Sequence, residues 1–317
     1  MSGLKFTADQ IQATGSVLND STGRPIGQRF RALFTLRNIA GQASIDQISR
    51  CLLDDDSALL KHECAYCLGQ MQDPLAIPVL NQVLANIGEH PMVRHEAAEA
   101  LGAIGAQQSL DVLKKYLNDD NKSVAETCQL AISRIEHLLD STNELVGGDS
   151  IAFKSVDPVP HLKRDNDENN NVQRLESMLT DSGNDLFTRY RAMFALRNLN
   201  TDESAVALAN GLQCPDSALF RHEVAYVLGQ MQNPRTVDQL AKVLANFDEN
   251  EMVRHECAEA LGAIATTEAE RELNKYIDDR HRVVRESVEV ALDMTDYNNS
   301  DDFQYANTLS AKTMKEM

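Results

Sequence analysis

The sequence has no tryptophan, and its 317 residues hold only 9 Phe, 7 Tyr, 8 Pro and 15 Gly. So few aromatics and turn formers argue against a β-sandwich or barrel and favour helices. Six cysteines are too sparse for a disulfide framework in a chain of this length. No run of 18 apolar residues occurs, so no segment reads as a membrane span. The opening MSGLKFTADQ lacks the cationic stretch followed by an apolar one that marks a secretory leader. A cytoplasmic protein without a membrane partner is therefore expected. Basic residues are also scarce, 30 Lys+Arg against 48 Asp+Glu, for a net charge of −18. That balance argues against binding nucleic acid or an anionic membrane, and suits a cationic substrate or a basic protein partner.

What the chain has in abundance is repetition. Shifted by 160 positions it overlays on itself: Ser57–Gln72 (SALLKHECAYCLGQMQ) matches Ser217–Gln232 (SALFRHEVAYVLGQMQ) at 12 of 16 positions. Leu80–Ile104 matches Leu240–Ile264 at 18 of 25, and Arg29–Asn38 pairs with Arg189–Asn198. Each half carries a shorter period, since KHECAYCLG at Lys61–Gly69 recurs 33 residues later as RHEAAEALG at Arg94–Gly102. Within a period, residues such as Ala65, Leu68 and Met71 have the spacing of a buried helical stripe. Asp54–Ser57 and Asp216–Ser217 offer helix caps, and Asp73–Pro74 and Asn233–Pro234 mark where one helix ends and the next begins. Each period is thus a helical hairpin, and the stack is an all-α solenoid. Four hairpins per half are expected, framed near positions 26, 57, 90 and 121 and again 160 later, the halves related by a pseudo-twofold. Residues 1–138 form the first half and 172–295 the second. Between them 139–171, with VGGDS, DPVP and KRDNDENNN, reads as a flexible linker, and 296–317 as a polar tail.

Of eight histidines, only His62, His95, His222 and His255 survive the 160-residue shift. Each is followed by a glutamate: Glu63, Glu96, Glu223 and Glu256. His90, by contrast, is replaced by Asn250, and the end repeats put Phe30, Val124, Tyr190 and Val284 at the histidine position. A bland alternative makes the dipeptides surface ion pairs at helix starts, but four copies retained at matched positions favour a metal site. Consecutive helical residues lie about 100° apart, so a His and the next Glu share one broad face. A spacing of 33 sets the pairs at one height on neighbouring helices about 8–10 Å apart, within reach of one ion. If the halves face each other, four imidazoles and up to four carboxylates converge. That donor set suits a dinuclear site of iron, manganese or zinc and is wrong for calcium.

Other motifs carry less. Cys64 and Cys67 have C-x-x-C spacing, but Val224 and Val227 replace them in the second half, so they read as core. Glu99 and Glu259, one turn after His95 and His255, read as orienting a ligand histidine or as solvated side chains. Tyr66 and Tyr226 read as packing, with substrate contact the lesser alternative. Gly69, Gly102, Gly229 and Gly262 read as points of close helix approach. The absence of H-E-x-x-H and E-x-x-H argues against a metalloprotease and a ferritin-like carboxylate bundle.

The two motifs SALLKHECAYCLGQMQ and MVRHEAAEALGAI, with four His-Glu dipeptides in two halves of four hairpins, resemble the deoxyhypusine hydroxylase family of HEAT-repeat proteins. The resemblance spans essentially the whole chain, with no departure at the dipeptides. It implies a di-iron monooxygenase that uses dioxygen to hydroxylate the deoxyhypusine side chain of eukaryotic translation initiation factor five-A. It implies two Fe2+ per chain and an electron donor that the sequence does not name. All four histidines, Glu96 and Glu256 are then direct iron ligands. Glu63 and Glu223 either complete the iron site or act in catalysis by receiving the substrate's cationic amines. The rival readings are a metal-free HEAT scaffold, a bilin-lyase-like protein, and a dinuclear zinc or manganese hydrolase.

Overall fold

The computed structural model describes residues 6–140, 153–160, 162 and 171–298. These contain sixteen α-helices and no strand. The first half runs α1 (Ala8–Leu18), α2 (Ile26–Ile39), α3 (Gln42–Asp54), α4 (Ala58–Met71), α5 (Ile77–Ala85), α6 (Pro91–Ile104), α7 (Leu110–Lys115) and α8 (Lys122–Leu139). The second repeats it as α9 (Val172–Thr180), α10 (Leu186–Leu199), α11 (Asp202–Ala209), α12 (Ala218–Met231), α13 (Val237–Leu244), α14 (Glu251–Ile264), α15 (Thr267–Leu273) and α16 (Arg282–Asn298).

Each odd-numbered helix packs on the even-numbered helix that follows it, and the even-numbered helices stack on one another as an inner layer. Four hairpins per half are therefore present, but the frames near 26, 57, 90 and 121 mark the inner helix of each hairpin. The outer partner precedes it. The first hairpin thus begins with α1, which sequence periodicity passes over because only Thr14, Gly15 and Leu18 are fully buried there. Within the expected cap stretches it is Ser57 and Ser217 that cap α4 and α12, accepting from Leu60 N–H at 3.1 Å and Phe220 N–H at 3.0 Å.

Glycine sets the spacing of the inner layer. A Cβ at Gly69 would lie 2.7 Å from the Cα of Ala100, and one at Gly262 would lie 2.6 Å from that of Ala291. Only a missing side chain lets α4 meet α6, and α14 meet α16, at that separation. α4, α6, α12 and α14 are consequently buried on nearly every side. Cys64 and Cys67 are fully buried, which supports the packing reading, whereas Met71 at the end of the predicted stripe is half-exposed.

The two halves meet at two junctions, α8 against α10 and α12, and α16 against α2 and α4. The junctions use the same contacts 160 residues apart. Ser57 Oγ donates to Glu286 at 2.6 Å and Ser217 Oγ to Glu126 at 2.7 Å, each serine meanwhile capping its own helix. The inner helices of both halves thus enclose one central space.

The stretch 139–171 is not uniformly a linker without fixed contacts. α8 continues through Leu139, and residues 153–160 lie against both halves, with Val159 buried. Asp157 pairs with the fully buried Arg197 at 2.6 Å. Residues 141–152, 161 and 163–170 of that stretch, and 299–317 of the expected tail, lie outside the described residues.

Candidate metal centre

The order of residues along α4, α6, α12 and α14 decides which side chains face the central space. The residue before each histidine is Lys61, Arg94, Arg221 or Arg254, and each cation is tied outward to the rest of its repeat. Arg94 donates through Nε to the Leu84 carbonyl at 3.1 Å and through both terminal nitrogens to Asp119 at 3.1 and 2.6 Å. Arg254 does the same with Leu244 and Asp279 at 2.8, 3.1 and 2.6 Å. Lys61 pairs with Glu89, and Arg221 with Glu249. With the cation fixed outward, the next residue, about 100° round the helix, turns to the interior. These anchors escaped the sequence reading, although the signal, a cation before every His-Glu, was visible.

All eight predicted residues converge and all eight are buried, with at most 7% of any residue exposed. Surface ion pairs are thereby excluded. The imidazoles form a ring: the centroids of His62 and His95, His95 and His222, His222 and His255, and His255 and His62 are 5.3–5.4 Å apart. His62 and His222 face each other across it at 5.7 Å. Neighbours in the ring alternate between contacts within one half and contacts between halves.

The carboxylates divide into two kinds. Glu96 approaches Nε2 of His62 at 3.2 Å and Glu256 approaches Nε2 of His222 at 3.3 Å, each reaching the neighbouring helix. Glu63 stands 3.5 Å from Nδ1 of its own neighbour His62, and Glu223 leaves Oε1 buried without a hydrogen-bond partner. Glu259 lies 3.5 Å from Nδ1 of His255.

Whether these residues fit a metal is decided by their unmet chemistry. Both ring nitrogens of all four histidines are buried and make no well-aligned hydrogen bond, even where Glu96 and Glu256 come within 3.2–3.3 Å of His62 and His222. Eight such nitrogens in one cluster would be costly unless something binds them. One nitrogen or carboxylate oxygen from each of His62, His222 and His255 lies within 4.8 Å of the others, and the same holds for His62, His95 and Glu96. The two sets share His62, and the first draws on both halves.

Charge points the same way. Burial works against a charged His62, but the Glu96 and Glu63 carboxylates outweigh it and hold the imidazole pKa well above its ordinary value. Burial and the neighbouring imidazoles push His95 and His255 well below theirs. Burial, then Glu99 and Glu96, drives the Glu223 carboxyl well above the usual range; burial also raises Glu63, and burial with nearby carboxylates raises Glu99 and Glu259 strongly. Bound cations would relieve both the crowded carboxylates and these nitrogens. The residues fit a metal.

Beside the imidazole ring lies a pocket with a free volume of about 20 Å³. Glu63, Glu223, Tyr66 and Tyr226 line it, and Val156–Pro158 close one side. The phenol oxygens of Tyr66 and Tyr226 are 2.8 Å apart, joining the halves. The sequence reading missed the closing segment, which occurs once and follows no period. It also missed Gln70 and Gln230, which hold that segment and do survive the 160-residue shift.

Comparison with known proteins agrees with this architecture. The HEAT-repeat family profile matches residues 45–133 and 205–293, and the PBS lyase HEAT-like repeat matches 188–214. The chain is 53% identical over 302 residues to deoxyhypusine hydroxylase of Drosophila pseudoobscura pseudoobscura, covering 95% of this chain and 97% of the relative. It is 54% identical over 303 residues to the Homo sapiens protein of that name, covering 96% and 97%. The chain belongs to the deoxyhypusine hydroxylase family. The solved structure of human deoxyhypusine hydroxylase in complex with glycerol superposes with a TM-score of 0.86, covering 92% of this chain and 97% of that one. Among the described residues no helix is long and apolar enough to cross a membrane.

Proposed function

We propose that this chain hydroxylates the deoxyhypusine side chain of eukaryotic translation initiation factor five-A, using dioxygen and two Fe2+ per chain. The observation that carries the metal part is the ring of four buried histidines, whose eight nitrogens make no well-aligned hydrogen bond, edged by carboxylates. Family membership carries the reaction. His62, His95, His222, His255, Glu96 and Glu256 would hold the irons. Bound iron would supply the reduction of dioxygen and the oxidation of a C–H bond, with electrons from a donor not yet identified.

The rest of the work falls to the protein. The glycine-spaced inner helices fix the imidazoles and exclude water from around them. Glu63 and Glu223, at the pocket, offer their carboxylates to the ammonium groups of the incoming side chain and so set which carbon faces the ring. The net charge of −18 favours encounter with a basic protein surface. The domain division proposed here has the halves 1–138 and 172–295 sharing one site, so neither would be active alone.

The test is direct. The iron-loaded chain, given a reductant, dioxygen and the deoxyhypusine-bearing factor, should add one oxygen atom to that factor by mass spectrometry. A factor recovered without the added oxygen would refute the assignment.

A further inference from the structure

The pocket beside the imidazole ring has walls of two kinds. Most of its lining comes from α4, α6, α12 and α14, whose spacing is locked by the glycine–alanine contacts between them. The remaining wall, Val156–Pro158, is not helical. With about 20 Å³ free, the pocket has room for about one water. An extended side chain ending in an amine would have to thread this narrow space, so the wall that lines it controls entry.

The non-helical wall is the one built to move. It is held by side chains of both halves rather than by a helix's own hydrogen bonds: Val159 packs into the core, and the buried Arg197 pairs with Asp157. Gln70 grips both backbone polar groups of Val156: Val156 N–H donates to Oε1 at 2.8 Å, and Nε2 donates to the Val156 carbonyl at 3.1 Å. Gln230 donates through Nε2 to Ser155 Oγ at 3.0 Å and to Tyr226 Oη at 2.9 Å, linking the segment to the tyrosine pair. Arg197 holds Asp157 through two nitrogens at 2.8 and 2.6 Å. Gln70 and Gln230 hold equivalent positions in the two halves yet grip different atoms, because among the described residues one segment serves both. Among those residues the pocket built from duplicated halves therefore has one non-helical wall, on one side.

Building on its reading as a deoxyhypusine hydroxylase, we propose that Ser155–Pro158 is a movable wall of the substrate pocket. It yields to admit the amine-bearing side chain and closes over it. Gln70 and Gln230 are positioning residues that set its closed place.

The experiment uses the full-length, iron-loaded chain and the deoxyhypusine-bearing factor as probe. Gln70→Ala removes both grips on Val156 at a half-exposed site late in α4, where alanine favours the helix. Hydrogen exchange at the Val156 amide should rise about tenfold, and KM for the factor about fivefold, while kcat and iron content stay within about twofold. Ser155→Ala, which cuts the segment's ties to Gln230 and Arg197 and its internal bond to Asp157 without touching α4, should shift KM the same way. In the wild type, saturating factor should slow exchange across 153–160. Unchanged KM in both variants, or unchanged exchange across 153–160 on binding, would overturn the proposal. So would loss of iron in Gln70→Ala, which would make Gln70 a scaffold residue. A wild type that turns over beside unaffected variants sinks only the movable wall; a wild type that never hydroxylates the factor sinks the functional reading itself.

Discussion

Oε2 of Glu96 lies 3.2 Å from Nε2 of His62, although α4 and α6 carry them 34 positions apart. Glu63, adjacent to His62 in sequence, comes no nearer than 3.5 Å and on the other ring nitrogen. Sequence neighbours and site neighbours therefore differ, and Glu256 repeats the cross-helix relation with His222 at 3.3 Å.

This difference separates two pairs of glutamates by experiment. Glu96→Gln and Glu256→Gln should each lower bound iron, with hydroxylation falling at least about a hundredfold. Glu63→Gln and Glu223→Gln should keep iron near the wild-type level and lower kcat/KM for the protein substrate by about ten- to a hundredfold, the worth of a charge-assisted hydrogen bond. Metal analysis beside steady-state kinetics distinguishes them. Iron loss in all four variants would make Glu63 and Glu223 ligands as well.

Ligand sets drawn from both halves predict that metal clamps the halves together. Removing iron with a chelator should speed hydrogen exchange at the junctions, where Ser57 meets Glu286 and Ser217 meets Glu126. Unaltered junction exchange in the metal-free chain would mean that the polar and apolar contacts alone hold the ring.

The buried Arg94–Asp119 pair orients α6 and predicts an acid-sensitive step. Arg94's hydrogen bonds hold the Asp119 carboxyl below its usual value. A carboxyl depressed in the folded state contributes stability that is fully present above its unfolded value, near 4, and lost as pH falls through the folded one. Asp119→Asn leaves the Arg94 charge unpaired and should cost about 3 kcal/mol at neutral pH. The deficit relative to wild type should shrink below about pH 4. Denaturant unfolding at both pH values checks it; a deficit independent of pH would contradict the pairing.

The solenoid was legible because an inner helix buried all round repeats its pattern every 33 residues and again after 160. The four His-Glu dipeptides were legible because Asn250 shows that an unneeded histidine was free to change. The arginine anchors were harder to see, because a cation beside an apolar stripe ordinarily lies in solvent, and only the geometry shows Arg94 and Arg254 buried against carboxylates. Residues 153–160 left no pattern to find. They have no second copy, and they pack through backbone groups such as those of Val156, which sequence does not distinguish.

The central claim is that the histidine ring holds two irons, and metal analysis of the purified chain with a visible absorption spectrum tests it most directly. The account predicts about two irons per chain with a visible charge-transfer band, and loss of both signals in His62→Ala. Two zincs per chain, or no stoichiometric metal, would contradict it.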